Sequence, residues 1–386
     1  MRGHVRKRGN TWSYVLELPR HEDGRRNQKW HGGFATRREA EAALTTAQSR
    51  LLGGAYVAPT RQTFGEYLVN DWLPAIQSTV RPSTFESYSR NIRVHVIPRA
   101  GGRRLSALDA GALNALYSEL LTNGRAIGKP GGLSPRSVHY IHTIIHRALR
   151  DAVRWDRLAR NVADAADPPR QHASARREIH AWDAASINRF LTETREERVH
   201  PVWLLLATTG MRRGEALGLR WADLDLDAGS ASVRQTLITV GDEIAFGTPK
   251  TGKGTRVVAL DSATTSALRS YKARQAQERL ALGPSYIDNG LVFTQEDGQP
   301  LHPKRVSDMF RRKIAKLGLP RISVHGLRHT WATLALQAGI HPKVVSERLG
   351  HADIAITLNT YSHVTPTMQA DAADVVARLV LGDVPQ

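Results

Sequence analysis

The spacing of apolar positions divides this chain into regions of different character. In residues 1–58 the pattern alternates: TWSYVLELP (11–19) and QKWHGGF (28–34) read as strands, with HEDGRR (21–26) turning between them. TRREAEAALTTAQSRLL (36–52) shifts to helical spacing, with Thr36 as N-cap and Glu39 closing a capping box. After the polar, proline-containing stretch APTRQ (58–62), residues 63–167 read as all helical. Ser83 or Thr84 can start a helix over FESYSRNIRVHV, and Ser106 can cap ALDAGALNALYSELL. Beyond the Gly- and Pro-rich loop TNGRAIGKPGGLSP, Ser134 followed by Pro135 opens a long helix. Its stripe is Val138, Ile141, Ile145, Leu149 and Ala152, while Arg136, His139, Arg147, Arg150 and Arg154 lie largely off it. Those cations either grip phosphates or line a solvated face.

A second linker, ADPPRQHASARRE (166–178), carries two adjacent prolines and three arginines. From Asp183 onward the chain reads as helices with one inserted sheet. Its strands are SVRQTLITV, EIAFGTPK and TRVVAL, with PKTGKGT turning between the last two. The expected fold class is therefore α+β multidomain. A small N-terminal β-sheet plus helix (1–58) precedes an all-helical domain (63–167) and a mainly α domain with a small antiparallel sheet (176–386).

Composition narrows the partner. Lys and Arg number 54 against 36 acids, a net charge of +18 over 386 residues, with a sequence pI near 10.6. Residues 1–58 alone hold eleven Lys/Arg against five Asp/Glu, a surplus of six. Such an excess suits a polyanion, because each neutralised phosphate releases counterions. Cysteine is absent, which removes disulfides, thiolate zinc sites and cysteine nucleophiles and suits a reducing cytoplasm. The basic start lacks the apolar run of a secretory signal, and no stretch is apolar enough to span a membrane.

Four islands carry candidate chemistry. In TTGMRRGEALGLRW (208–221), Gly210 ends an apolar helix and Arg212 stands at the start of the next, with Glu215 one turn on and able to orient an arginine. Lys250 sits on the hairpin turn, with Lys253 as the alternative; a turn lysine can protonate a leaving oxygen or simply face solvent. In SVHGLRHTWATLALQAG (323–339), His325 and Arg328 share a helix face. His325 and His329 also have zinc-ligand spacing, but the arginine between them and the absence of a glutamate base speak against a metal. In ERLGHADIAITLNTYSHV (347–364), His351 follows a helix-ending glycine and Tyr361 lies ten residues later; His363 is a weaker alternative to His351.

Taken in order, Arg212, Lys250, His325, Arg328, His351 and Tyr361 resemble the tyrosine recombinase (phage integrase) family pattern. That pattern is a Thr-Gly-hydrophobic-Arg motif, a hairpin lysine, His-x-x-Arg, Leu-Gly-His and a late tyrosine. The resemblance covers about residues 176–370; the segments before it look like that family's arm-binding and core-binding domains. It implies that Arg212 and Arg328 clamp a phosphodiester where other phosphoryl-transfer enzymes use magnesium. Tyr361 would then attack to form a 3′-phosphotyrosine, and Lys250 would protonate the 5′-oxygen. His325 would help accept the tyrosine proton, and His351 would hydrogen-bond the phosphate. No cofactor, metal or ATP is implied, and no GxxxxGK[ST] loop is present.

The implied partners are double-stranded DNA attachment sites, a homo-tetramer assembled on them, and DNA-bending or directionality proteins. The implied setting is a bacterial cytoplasm, at the nucleoid. The tail TPTMQADAADVVARLVLG (365–382) reads as an amphipathic helix, docking on a neighbouring subunit or closing its own domain. Two other classes compete. A type IB topoisomerase would relax supercoils without site dependence, and a silent DNA-binding regulator would bind but not cut.

Overall fold

The computed structural model describes residues 3–18, 25–52, 61–125, 130–170, 180–248, 254–361, 373 and 376–380. The chain divides into two compact units, Met1–Ala175 and Arg176–Gln386.

The first unit opens with a three-stranded antiparallel sheet in chain order, Gly3–Arg8, Thr11–Leu18 and Asn27–Phe34. The strand Gly3–Arg8 was not expected. Its GHVRKR sequence offers one apolar side chain, Val5, so alternation is invisible, yet it pairs fully with the second strand, Val5 opposite Tyr14. A register shift at Trp12/Ser13 bends the sheet, and Tyr14 lies opposite His31 with rings stacked 4.8 Å apart. Helix Arg37–Leu52 covers it, burying Leu44 and Ala47 against Tyr14 and Leu16. The expected capping box is present: Glu39 N–H donates to Thr36 Oγ1, and Thr36 N–H to the Glu39 carboxylate.

The helices that follow share a separate core. Thr63 and Glu66 form a second capping box, opening a helical run Phe64–Ile76 whose middle is π-helical. Two start signals lie elsewhere than expected. Helix Pro82–Asn91 begins at Pro82 with Arg81 as N-cap, because proline's fixed φ suits the first helical position and Ser83 and Thr84 fall inside. Ser106 lies in a 3₁₀ turn, and Asp109 caps Ala110–Asn123 by accepting from Ala112 N–H at 2.7 Å. Helix Pro135–Arg154 starts at Ser134 as expected, and its whole predicted stripe is fully buried. Trp72 Nε1 donates to buried Asp151 at 2.9 Å, and Tyr67 donates its hydroxyl to Ala148 O at 2.7 Å, tying the first helix to this last long one.

In the second unit, aromatic side chains Trp182, Phe190, Trp203 and Phe310 anchor one core built from helices Ala184–Glu193, His200–Thr209, Pro303–Lys316 and Val324–Gln337. The inserted sheet is two sheets rather than one. Leu224–Asp225, Ser230–Val233 and Arg256–Ala259 form the first; Thr236–Val240 and Glu243–Gly247 form the second. The expected strand SVRQTLITV breaks at Arg234–Gln235, where Gln235 Nε2 turns to donate to Gly218 O at 2.8 Å. Residues 249–253, with Lys250 and Lys253, lie outside the described residues, as does His363. Of the tail, residues 376–380 are helical, with Val376, Leu379 and Val380 exposed.

Candidate active site

Five of the six predicted residues lie within the described part of the second unit, on helix ends and the turns after them. Gly210 ends helix His200–Thr209 with φ +66°, and a Cβ there would meet Leu349 Cδ2 at 2.7 Å and Trp331 at 3.0 Å. Only glycine permits both the turn and that approach. Arg212 is the N-cap of the short helix Arg213–Leu217, which Gly214 lets settle against strand Thr236–Val240: a Cβ at Gly214 would stand 2.6 Å from Leu237 O. The backbone N–H of Arg212 is taken by Glu215 at 3.0 Å, so the helix start is not left open for an anion. What faces outward is the side chain, 42% exposed and braced at 2.7 Å by the same carboxylate.

Glu215 is 3% exposed and holds two arginines, Arg212 at 2.7 Å and Arg256, from strand Arg256–Ala259, at 2.9 Å. Burial alone would raise its carboxyl; the hydrogen bonds from Arg256 and Arg212 outweigh it and hold the group below the usual carboxylate range. Arg256 reaches on to Arg348 O at 2.7 Å. The orienting role foreseen for Glu215 is thus present, and Arg256 is a third basic side chain that the sequence did not single out. Its signal would have been a lone arginine in TRVVAL, which periodicity alone reads as a strand residue.

Arg328 is 3% exposed on helix Val324–Gln337. It donates to Gly210 O at 2.9 Å and to Leu349 O at 2.7 Å, the carbonyls closing two other helices. A cation at two helix C-termini is well placed electrostatically, and the bonds join the Arg212 turn to the His351 turn. Burial and the neighbouring Arg212 push the guanidinium down to about 9, so it stays charged at neutral pH.

His351 follows Gly350, whose φ of +67° ends helix Pro342–Leu349. Its Nδ1 hydrogen-bonds the Thr357 hydroxyl at 2.8 Å, and burial together with Arg328, Arg212, His329 and Arg256 pushes its imidazole down to about 4. His325 stays open to solvent at one face. Crowding by protein atoms on the other, then the charges of His329, Arg328, Arg212 and Arg213, push it down to about 4 as well.

Tyr361 ends helix Ile354–Tyr361, its ring packed with Ala332, Ala335, Leu336, Val345 and Leu349. Burial pushes its phenol up to about 12, against the pull of Arg328. Its hydroxyl meets His329 Nδ1 at 2.8 Å, and the His329 ring stands edge-to-face with His325, centroids 4.8 Å apart. His329, weighed in the sequence only as a zinc ligand, is therefore the tyrosine's hydrogen-bond partner. The one signal that could have found it is its place one residue after Arg328, beside the face that holds Tyr361. Among the described residues, no group of three His, Cys, Asp or Glu is arranged to hold a metal ion.

The described part of the site thus brings together Arg212, Arg256 and Arg328, three histidines and a tyrosine hydroxyl, with the Glu215 carboxylate paired to Arg212 and Arg256. The phage integrase family model matches residues 179–368, the stretch that carries all of these groups. Models of an arm DNA-binding domain and of the phage integrase N-terminal SAM-like domain match residues 4–51 and 63–121. The chain belongs to the phage integrase family. It is 26% identical to a tyrosine recombinase XerC-like protein of Caldanaerobacter subterraneus subsp. tengcongensis, over 98% of each chain. Identity to an integrase of Streptomyces ambofaciens is 27%, over 96% of this chain and 94% of that one. In fold it resembles the Tn1549 transposon integrase solved with a circular intermediate DNA: TM-score 0.66, 21% identity, 82% of this chain and all of that one. The lambda integrase tetramer bound to a Holliday junction aligns with TM-score 0.54 and 16% identity over 92% of this chain and 94% of that one. The α+β architecture expected from the sequence is the one these integrases share.

Proposed function

We propose that this integrase-family protein cuts and rejoins DNA at specific sites, integrating or excising a phage or related mobile element. The observation that carries the reading is the position of the Tyr361 hydroxyl, on a helix end against His329 and within the field of Arg328, in a site where Arg328, His325, His329 and His351 all have their pKa values pushed down. A site so crowded with cations favours an anion, and a phosphodiester is the anion that a tyrosine can attack.

In this reading Arg212 and Arg328 clamp the non-bridging oxygens, and Glu215 keeps Arg212 aimed. Tyr361 forms the 3′-phosphotyrosine, His351 hydrogen-bonds the phosphate, and Lys250 is assigned the 5′-oxygen from its place in the sequence. Because the broken bond is stored as a phosphoester, rejoining needs no ATP. Residues 1–58 and 63–167 are assigned to arm and core DNA sites, on the surplus of six positive charges in the first and on Arg136, Arg150 and Arg154 exposed along helix Pro135–Arg154. A tetramer on paired sites, accessory bending or directionality proteins, and a nucleoid location complete the proposal. Among the described residues no helix is long and apolar enough to cross a membrane.

The test is a nicked duplex selected by the protein from a random pool, incubated with wild type and Tyr361→Phe in the presence of EDTA. An SDS-stable adduct from wild type alone is expected. An adduct from Tyr361→Phe would sink the nucleophile assignment, and relaxation of plasmids lacking the selected site would favour the topoisomerase reading.

A further inference from the structure

The tyrosine's proton needs a destination, and the groups around it differ in how well they provide one. His325, the residue first assigned that role, has its ring beside His329, and among the described residues the side-chain hydrogen bond to the Tyr361 hydroxyl comes from His329. His329 stands one turn further along the same helix, half-buried, with Nδ1 at 2.8 Å from the phenolic oxygen. Tyr361 shares a buried cluster with Ala332, Ala335 and Leu336, all within two turns of His329 on its helix, and with Val345 and Leu349 of helix Pro342–Leu349, so packing from two helices keeps the hydroxyl against the imidazole.

We propose that His329 is a catalytic base for Tyr361: its Nδ1 takes the phenolic proton as the Tyr361 oxygen bonds to phosphorus. The proposal rests on the strand-cutting reading above. The bond formed is Tyr361 Oη–P, and the bond broken is P–O5′. The 5′-oxygen leaves with the bonding pair and is protonated by the enzyme's general acid, while the phenolic proton passes to His329 in its Nε2–H tautomer. On rejoining, the 5′-hydroxyl attacks, the Tyr361 oxygen leaves, and His329 returns the proton.

The surroundings suit a transient role. The groups facing His329 are His325 and Arg328 on its own helix, His351 after helix Pro342–Leu349, and Tyr361. Burial and Arg328 lower the His329 imidazole, and burial raises the phenol, so the proton rests on Tyr361 until attack begins. An imidazolium beside Arg328 is under pressure to give its proton back, which fits a reversible reaction.

The experiment compares full-length wild type, His329→Asn and His329→Ala on the selected nicked duplex, in two versions. One has an ordinary 5′-oxygen at the scissile phosphate; the other has a 5′-bridging sulfur, which leaves as a thiolate without a proton. Asn places an amide where Nδ1 was, keeping a hydrogen bond but accepting no proton. Adduct formation by His329→Asn should fall about 10²-fold with DNA affinity retained. The deficit should persist with the sulfur substrate, because the lost function is on the nucleophile side. Added imidazole should restore part of the His329→Ala rate, and the acid limb of the wild-type pH profile, which lies below the ordinary imidazole range, should vanish in His329→Asn. The proposal is overturned by His329→Asn cleaving within about threefold of wild type, by rescue with the sulfur substrate, or by faster cleavage in either variant, which would make the bond a resting lock. No adduct from wild type on any duplex would instead overturn the strand-cutting reading, and the proposal with it.

Discussion

Buried charge is handled in opposite ways by the helical bundle and the integrase-family unit. In the bundle, Asp151 is 4% exposed, accepts from Trp72 at 2.9 Å and pairs with Arg154 at 3.2 Å. One anion has its donors, and the network joins helices. In the second unit, Arg328 and Glu215 are each 3% exposed and Arg256 is nearly as enclosed, so two buried cations stand against one buried anion, which pairs with Arg256 while Arg328 is held by carbonyls. Around them stand Arg212, His325, His329 and His351, and burial together with the surrounding positive charge pushes all three imidazoles down. The network around Asp151 is complete without a ligand; the other is a positive surplus held in place by helix ends. Difference in purpose follows from difference in neutralisation.

The sharpest way to break this comparison is to remove Arg328. Arg328→Met leaves the carbonyls of Gly210 and Leu349 without their donor, at about 1–3 kcal/mol each for buried acceptors. It also removes half of the proposed clamp, so adduct formation should fall by more than about 10³ while the melting temperature drops. Full activity in this variant would mean that the residue is a brace and nothing more. Arg212→Ala separates the two roles. That side chain is 42% exposed, so the expected loss is about 10²–10³ in cleavage with little change in melting temperature. The bundle supplies the contrast: Trp72→Phe deprives buried Asp151 of a donor and should cost about 2 kcal/mol in denaturant unfolding. Its adduct rate at saturating DNA should match wild type. A slowed chemical step there would show that the bundle network does more than pack.

What the sequence disclosed follows the same division. The bundle's long helix was legible in full, cap and stripe together, because one face is buried and the signal repeats every turn. Its neighbours' starts were misplaced at Ser83, Thr84 and Ser106, where several cap-forming residues crowd together and only tertiary fit selects among them. The basic strand Gly3–Arg8 and the split of SVRQTLITV had no periodic signature at all: one is set by backbone pairing, the other by a single glutamine turning aside. At the site, Arg212, His325, Arg328, His351 and Tyr361 were readable from motif order. Arg256 and His329 were not, since one looks like any strand arginine and the other matters only through a contact 32 residues away. Lys250 lies outside the described residues, and its role rests on sequence order.

The smallest expected effect tests the positive surplus itself. His325 and His351 are held near 4 in the free protein, well below an ordinary imidazole. A phosphate placed among them favours their charged forms, so their pKa values rise on binding and protons are taken up from solvent. By linkage, affinity must then increase as pH falls through the window between the bound and free values, and level off near the free value of about 4. The slope cannot exceed about tenfold per pH unit for each proton taken up. Calorimetric titration of Tyr361→Phe with its selected duplex, in two buffers of different ionisation heat near pH 6, counts those protons without interference from cleavage. Uptake elsewhere in the complex adds to the count, so the decisive quantity is the difference made by His325→Gln. If that substitution removes part of the uptake, the surplus in the integrase-family unit is what the bound phosphate neutralises. An unchanged count would place the protonation elsewhere, and the contrast between a finished network and an unfinished one would lose its electrostatic basis.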